Sequence, residues 1–257
     1  MQIRDDNGTI ILENITTADI PDDGVFVVPD DVCVIAERCC AKQGHLKKII
    51  LGPKVSIVKA EAFIDCNSLE YVKFPAAIKR INTRAFSRCT TLKEVEFEES
   101  TIPLKIADKA FDGCISLKKF PLRKGLYSLG EYVFADTGIN DIAMPDTVNA
   151  VGEGCFYNCI YLKSVKLSKR ISSIPKNCFF KCLRLNEVCL GENVRFIYDD
   201  AFAHCFTLRS IKTLNTNPFN YISDNAFYEC EIASVIIGDK ECFIPETKEL
   251  KEILTNS

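Results

Sequence analysis

The stretch Ile81-Asn82-Thr83-Arg84-Ala85-Phe86-Ser87-Arg88-Cys89-Thr90-Thr91-Leu92-Lys93-Glu94-Val95-Glu96-Phe97 holds the pattern that decides the fold. Its phenylalanine belongs to a series at positions 63, 86, 111, 134, 156, 179, 202 and 227, spaced by 22 to 25 residues. Seven of these eight phenylalanines have a cysteine three residues later, and Thr137 takes that place in the eighth. In most repeats a leucine comes three residues further on, followed by an alternating apolar pair such as Val95 and Phe97. A fixed period of this length predicts a solenoid in which each repeat is one rung and stacking supplies the core.

Each repeat contains two segments with different periodicities. The alternation around Val95 and Phe97 predicts a short strand with one buried face, and we expect the strands of successive rungs to form one parallel sheet. In residues 83–89 the apolar side chains fall on one face of a helical turn, and Thr, Asp or Glu begins this segment in most repeats, as suits a helix start. The sequence therefore predicts an α/β fold of about nine repeats with short helical or 3₁₀ outer arms.

The two ends of the chain depart from the repeat. Residues 1–32 lack the Phe-x-x-Cys signature and are predicted to form an N-terminal cap and a half-repeat. Residues 33–245 are the predicted solenoid. In residues 246–257 the side chains of Leu250, Ile253 and Leu254 fall on one helical face, which predicts a C-terminal capping helix over the last rung.

Composition excludes several classes of partner. The chain has 257 residues, is 47% hydrophobic and 26% charged, and so is typical of a soluble globular protein. Its net charge of -3 argues against nucleic acid, and no apolar run reaches the roughly 20 residues that span a bilayer. The first residues lack the features of a signal peptide, so we expect a cytoplasmic protein without a membrane partner. Reducing conditions there favour buried free thiols for most of the 14 cysteines.

The repeat resembles a known family. Read from Ile81, the pattern Ile-x-x-x-Ala-Phe-x-x-Cys-x-x-Leu-x-x-Val-x-Phe/Leu-Pro is similar to the BspA-type leucine-rich repeat of bacterial surface proteins and anaerobic protozoa. The resemblance covers roughly residues 29 to 245. It implies a right-handed leucine-rich-repeat solenoid with a concave parallel β-sheet, used for adhesion or protein binding. It offers no catalytic residues or cofactor.

Histidine chemistry is scarce in this chain. His45 and His204 are the only two histidines, and they lie about seven rungs apart, or roughly 34 Å at about 4.8 Å per rung. They cannot share a site. His204 adjoins Cys205, but that cysteine occupies the core phase of the repeat, so a Cys/His nucleophile is not favoured. We therefore expect a protein without enzymatic activity.

The cysteines leave one further alternative. Cys155 and Cys159 recur as Cys178 and Cys182 one repeat later, which would place four sulfurs in adjacent rungs, as a tetrahedral zinc or redox site requires. Core packing is favoured over that alternative, because two of these cysteines replace the core alanine of other repeats and two belong to the general series. We predict no metal and no cofactor. Cys189 should face outward from its strand and is the expected reactive thiol.

Strand alternation also predicts the binding surface. Side chains that flank each buried strand position must point outward, and they combine both signs of charge with apolar spots, which suits a protein partner. The predicted partner-binding residues are Tyr71, Lys73, Glu94, Glu96, Lys119, Asp141, Lys166, Glu187 and Lys212.

Three functional hypotheses follow. The first is an intracellular scaffold or regulator that binds another protein through the concave sheet. The second is a surface, adhesive or self-associating module, which includes a homo-oligomer. A minor third is docking on type 1 protein phosphatase, because Lys93, Val95 and Phe97 match the basic-x-Val-x-Phe docking motif. That spacing also arises automatically from the buried phases of a repeat strand.

Overall fold

The structure is a computed structural model that describes residues 1–213, 215, 219–243 and 249–256. It contains short strands and one terminal α-helix. The elements in chain order are β1 (Gln2–Asp6), β2 (Thr9–Asn14), a 3₁₀ turn (Thr17–Asp19), β3 (Val25–Val27), β4 (Val34–Ile35), β5 (Lys48–Ile50), β6 (Ile57–Val58), β7 (Tyr71–Phe74), β8 (Arg80–Ile81), β9 (Glu94–Phe97), β10 (Leu104–Ile106), β11 (Leu126–Leu129), β12 (Asp141–Ala143), β13 (Ala150–Val151), β14 (Ser164–Lys166), β15 (Ser173–Ile174), β16 (Glu187–Leu190), β17 (Phe196–Ile197), β18 (Ser210–Thr213), β19 (Tyr221–Ile222), β20 (Ser234–Ile237), β21 (Lys240–Phe243) and α1 (Glu249–Asn256).

The predicted strands form a row of parallel strands, one in nearly every rung, which we call the main strand row. Successive strands pair in register, so that Val72 of β7 lies opposite Val95 of β9. The expectation of one continuous sheet was wrong, because the row divides into β3-β5-β7-β9 and β12-β14-β16-β18-β20, the latter closed by antiparallel β21. The rung between them, residues 118–121, forms no strand. Residues 93–98 and 117–122, all within the described part of the chain, form no backbone hydrogen bond with each other, and Pro121 has no N–H to donate.

A second row of strands runs along another side of the stack and was missed by the sequence analysis. It consists of β4, β6, β8, β10, β11 and β13 in one sheet, which also holds β1 and β2, and β15, β17 and β19 in another. Most of these strands have two residues, as in β8, which pairs with β6 and β10. A two-residue strand is too short to show an alternating pattern in the sequence.

The outer arms are stacked turns, and the prediction of helical or 3₁₀ arms was therefore wrong. In the rung of Phe86, both Arg84 and Arg88 have left-handed backbone conformations, with φ of 55° and 59°. A helix needs consecutive right-handed residues, so two such positions four residues apart exclude it. Along the arm, N–H groups alternately close a turn and bond the next rung. Those reaching the next rung are Arg84 to Asp108 O (3.0 Å), Phe86 to Ala110 O (2.8 Å) and Arg88 to Asp112 O (2.7 Å).

The core is a ladder of phenylalanine rings, one in each rung from Phe63 to Phe227. Neighbouring rings are nearly parallel, with centroids 4.9 Å apart for Phe63 and Phe86 and 5.3 Å apart for Phe156 and Phe179. The predicted cysteine and leucine phases of each rung are buried beside these rings. This packing confirms the register that the repeat predicts, since apolar burial is the main favourable contribution to folding.

Each end of the stack carries an additional element. At the N-terminus the β1-β2 hairpin pairs with β4 through β2 and buries Leu12 and Ile15. At the C-terminus α1 packs near β19 and buries Leu250 and Leu254, while the predicted boundary at residues 245 and 246 lies outside the described residues. The predicted domain limits at 32 and 245 stay a prediction.

Candidate binding surface

The outward side chains of the main strand row form a surface that we call the strand face. None of the nine residues predicted there is buried. Eight of them alternate with a core residue on their own strand, and the ninth, Lys119, is exposed in the rung without a strand. Tyr71, Lys73, Glu96 and Lys212 are half-buried, whereas Glu94, Lys119, Asp141, Lys166 and Glu187 are exposed. The structure therefore places all nine on one accessible surface, and their role in binding stays a prediction.

Side chains at the N-terminal half of the strand face hold one another in place. The ammonium group of Lys48 lies 4.2 Å from the ring centre of Tyr71, and the Tyr71 hydroxyl donates a hydrogen bond to Glu96. Lys73 Nζ lies 3.3 Å from Glu96 Oε1 and 3.8 Å from Glu98 Oε1. Burial, with the contact to Glu96, raises the pKa of Tyr71 to about 12, whereas hydrogen bonds from Tyr71 and Lys73 lower the pKa of Glu96. Such a network presents fixed rather than mobile charges.

The C-terminal half of the strand face carries more widely spaced charges. Lys166, Cys189 and Lys212 lie side by side in register on β14, β16 and β18. Glu187 is exposed in the neighbouring column, and Asp141 accepts a 2.7 Å hydrogen bond from Ser164. Opposite charges therefore occur on adjacent strands across this half, an arrangement that favours a partner with complementary charges.

A groove opens where the main strand row is interrupted. We call it the rung groove. Its two adjoining halves, about 760 Å³ and 620 Å³, share Lys93, Lys118 and Asn140. The first half lies against the strand face and is also lined by Glu94, Val95, Lys119, Phe120, Pro121 and Asp141. The second is also lined by Ile115, Ser116, Gly138 and Tyr161. Three predicted face residues, Glu94, Lys119 and Asp141, thus belong to a concave feature that sequence reasoning missed.

The two apolar residues of the phosphatase-docking motif pack into or against the core. Val95 is 5% exposed, and Phe97 stacks on Phe74 with ring centroids 4.8 Å apart. Docking by strand addition would need both apolar side chains in pockets of the partner. Since they pack inside their own solenoid, the spacing reflects the repeat, and of the three motif residues the exposed one is Lys93.

The four cysteines weighed as a metal or redox site are all buried within the stack. The thiols of Cys159 and Cys182 donate to the carbonyl oxygens of Phe134 (3.0 Å) and Phe156 (3.2 Å). Burial raises the pKa of each of the four thiols, to about 12 for Cys159. Among the described residues there is no group of three or more His, Cys, Asp and Glu side chains placed to hold a metal ion. A protonated core thiol is a poor metal ligand and a poor nucleophile.

Cys189 and His204 have surroundings of a different kind. Cys189 is half-buried on the strand face, as predicted, and its reactivity stays a prediction. His204 lies in an outer arm, with Nδ1 2.7 Å from Glu229 Oε2 and its ring against Phe180. The neighbouring Cys205 thiol donates to the carbonyl oxygen of Phe179 at 3.1 Å, so it is directed into the core.

In the described part of the chain, no helix has the length and apolar character needed to cross a membrane.

Rungs with a parallel strand row, a stacked turn arm and a phenylalanine core define a leucine-rich-repeat solenoid. The chain belongs to the BspA type leucine rich repeat family, whose repeat region matches in 6 copies over residues 25–138 and 128–247. No curated protein sequence matches the chain.

The chain is also similar to solved structures. The T. pallidum leucine rich repeat protein is 27% identical with a TM-score of 0.61, and the match covers 76% of this chain and 90% of that chain. A leucine rich cell surface protein from Faecalibacterium prausnitzii is 20% identical with a TM-score of 0.44, covering 91% of this chain and 82% of that chain. The pneumococcal vaccine antigen PcpA is 18% identical with a TM-score of 0.41, covering 88% and 69%.

Proposed function

We propose that this protein is a non-enzymatic interaction module, a right-handed solenoid that binds a protein partner through its strand face on what we expect to be the concave side. The observation that carries the proposal is the regular presentation of charged side chains by in-register strands on both sides of the interrupted rung. Accessible charges of both signs lie on successive in-register strands, and several are held by neighbouring side chains, such as Glu96 by Tyr71 and Lys73. A rigid, patterned surface is suited to a protein partner, because charge complementarity fixes orientation. We expect it to act in the cytoplasm.

A charge-swap experiment tests the strand face without changing net charge. The protein is used to capture partners from lysate of its own cells, and the captured partner is then titrated against two double variants. Lys166→Glu with Glu187→Lys inverts exposed charges on β14 and β16. Lys176→Glu with Glu37→Lys makes the same exchange at two exposed positions that begin outer arms.

We expect the strand-face swap to weaken partner binding by about tenfold or more. The outer-arm swap should leave the affinity within about twofold, because exposed charges outside the contact contribute little to it. Both variants should melt like the parent, since all four side chains are exposed. Loss of binding confined to the outer-arm swap would move the site to the arms and overturn the proposal.

Self-association is a second candidate, favoured by one strand edge. In the described part of the chain, β3 pairs with β5 on one side and with no strand on the other, and its Val27 is 58% exposed. An uncovered edge with an apolar side chain is a template for pairing with another strand. If copies pair through this edge, light scattering after size exclusion should give a dimer mass that Val27→Lys returns to the monomer. A monomeric parent at high concentration would exclude this candidate.

A further inference from the structure

A second charged feature runs beside the strand face. Eight side chains form a line that we call the basic row. Seven of them immediately precede the strands β5, β7, β9, β12, β14, β16 and β18, and Lys118 takes the same position in the rung without a strand: Lys47, Glu70, Lys93, Lys118, Asn140, Lys163, Asn186 and Arg209. Five of the eight are cations and one is a carboxylate. Backbone hydrogen bonds join neighbouring members on either side of the gap between Lys93 and Lys118, as in Glu70 N to Lys47 O (2.7 Å) and Lys163 N to Asn140 O (2.6 Å).

Two cations in the middle of the basic row, Lys118 and Lys163, have no ion-pair partner among the described residues. Lys93 Nζ lies 2.8 Å from Glu70 Oε2, and that contact lowers the pKa of Glu70. Arg209 pairs with Glu231. Lys118 and Lys163 are exposed, and neither forms an ion pair with any described residue. Three of these cations, Lys93, Lys118 and Lys163, therefore lie along a line interrupted by one neutral Asn140.

The rung groove crosses the basic row at this cationic stretch. Lys93, Lys118 and Asn140 line both halves of the groove. Beside them Ile115 is 60% exposed and Tyr161 is 44% exposed, and both line the same half. The guanidinium carbon of Arg184 lies 5.2 Å from the ring centre of Tyr161. Exposed apolar side chains flanked by cations can hold one apolar side chain of a partner and attract the anionic groups next to it.

The opening has a structural cause in the missing strand. Elsewhere in the main row each strand is bonded to its neighbours, but residues 93–98 and 117–122 lack backbone hydrogen bonds with each other. Lys118 and Asn140 remain linked, with Asn140 N donating to Lys118 O at 3.1 Å. The groove is thus lined from both sides of the interrupted rung, by Lys93 on one side and by Asn140 on the other.

We propose that the basic row and the rung groove bind an extended acidic segment of a partner protein, with one aromatic side chain of that segment against Ile115 and Tyr161. The cations lie in a line rather than around one point, which matches carboxylates spaced along a chain. Rungs are about 4.8 Å apart, and an extended peptide rises about 3.3 Å per residue. A peptide of about ten residues would therefore follow the row from end to end. The proposal rests on the proposed function and names the chemistry of its partner.

The binding test uses a fluorescein-labelled peptide of about ten residues, mostly glutamate with a central phenylalanine, and fluorescence anisotropy with the full chain. Two control peptides replace glutamate by glutamine, or phenylalanine by alanine. Lys118→Glu with Lys163→Glu removes the unpaired cations, and Lys42→Glu with Lys176→Glu makes the same change in net charge at exposed outer-arm positions. Tyr161→Ala removes the apolar anchor.

We expect saturable binding of the acidic peptide, weaker by about tenfold or more with the Lys118/Lys163 variant and nearly unchanged with the outer-arm variant. The glutamine peptide should not bind, and both the alanine peptide and Tyr161→Ala should bind several-fold less tightly. Binding should weaken at higher ionic strength. Matching thermal melts of all variants show that the exposed substitutions leave the fold intact.

Three results would overturn the proposal. The acidic peptide does not bind, or the Lys118/Lys163 and Lys42/Lys176 variants lose affinity for it equally. The third is that the parent protein binds phosphatidylserine vesicles but not the peptide. The proposed function fails separately. If the charge swap at Lys166 and Glu187 abolishes capture of the partner while the peptide does not bind, the strand face stands and the acidic segment does not. If the peptide binds but neither charge swap changes capture of the partner, the acidic-segment proposal stands and the strand-face proposal does not.

Discussion

The Cys159 thiol donates a 3.0 Å hydrogen bond to the carbonyl oxygen of Phe134, one rung earlier in the stack. The same relationship joins the other cysteines of this phase to the preceding rung. These bonds run from Cys66 to Cys40 O (2.9 Å), Cys89 to Phe63 O (3.1 Å), Cys114 to Phe86 O (3.2 Å), Cys182 to Phe156 O (3.2 Å), Cys205 to Phe179 O (3.1 Å) and Cys230 to Phe202 O (3.0 Å). A cysteine in this phase therefore fills core volume and satisfies a buried carbonyl group, which valine or alanine could not do.

Thiol accessibility should separate two groups of cysteines. Cys33 and Cys189 are half-buried, whereas the other eleven with described side chains are buried. We expect a thiol reagent under native conditions to modify Cys189 and Cys33 first, identified by mass spectrometry, and the core cysteines to react after denaturation. Rapid native labelling of Cys114 or Cys159 would contradict the core packing described above.

Alkaline pH should destabilise the protein through its core thiols. Burial raises the pKa of Cys155 and Cys178 above that of an unfolded cysteine. Below about pH 8.5, the pKa of a cysteine in the unfolded chain, the thiols are protonated in both the folded and the unfolded protein, and their contribution to stability is intact. Above that pH the unfolded chain ionises first, and the free energy of unfolding falls. Each such thiol should lower the free energy of unfolding by about 0.7 kcal/mol between pH 8 and pH 9.

The matched comparison is the double variant Cys155→Ala with Cys178→Ala, which restores the alanine found in this phase at Ala62 and Ala85. Urea unfolding at both pH values should show a pH dependence smaller by about 1.4 kcal/mol in the variant. An unchanged pH dependence would mean that these two thiols ionise as readily in the folded protein as in the unfolded chain.

Removal of one core ring should destabilise the stack. Phe134 is fully buried, with ring centroids of Phe120 and Phe156 at 4.7 Å and 5.5 Å. Phe134→Ala should lower the free energy of unfolding by about 3 to 5 kcal/mol, because it leaves a cavity between rungs. Phe206→Ala, at a largely exposed phenylalanine, is the control and should cost less than about 1 kcal/mol. Similar losses in both variants would contradict the core assignment.

The terminal helix should stabilise mainly the rungs next to it. Leu254 is fully buried, and its carbonyl oxygen accepts a 2.9 Å hydrogen bond from Phe219 N. Leu254→Ala should cost about 2 to 5 kcal/mol locally, and hydrogen exchange should accelerate in β19 and β20 while β7 is unchanged, because rungs interact chiefly with their neighbours. Glu252→Ala, at an exposed position of the same helix, should leave exchange as it is. Uniform acceleration along the whole chain would argue against this local role.

Much of the core could be predicted from the sequence because each phase of the repeat has a local physical meaning. Phe86 and Cys89 recur with a fixed period, and a period of this length can bury its apolar side only by stacking. The alternation in β7 and β16 likewise predicted that Tyr71, Lys73 and Glu187 lie outside the core, as the structure shows. The basic row could have been found in the same way, since Lys47, Lys93 and Lys118 each precede a strand phase.

The tertiary structure alone decided what depends on contacts between rungs. The left-handed residues Arg84 and Arg88 make the arm a series of turns, and their own N–H groups bond the next rung. No periodicity within one repeat records those bonds. The gap beside Pro121, and with it the rung groove, arises where two rungs of unequal length meet without a hydrogen-bonded strand pair. Local alternation within each repeat was enough to predict which side chains a rung buries. The three-dimensional register between rungs set which of them bond and which separate.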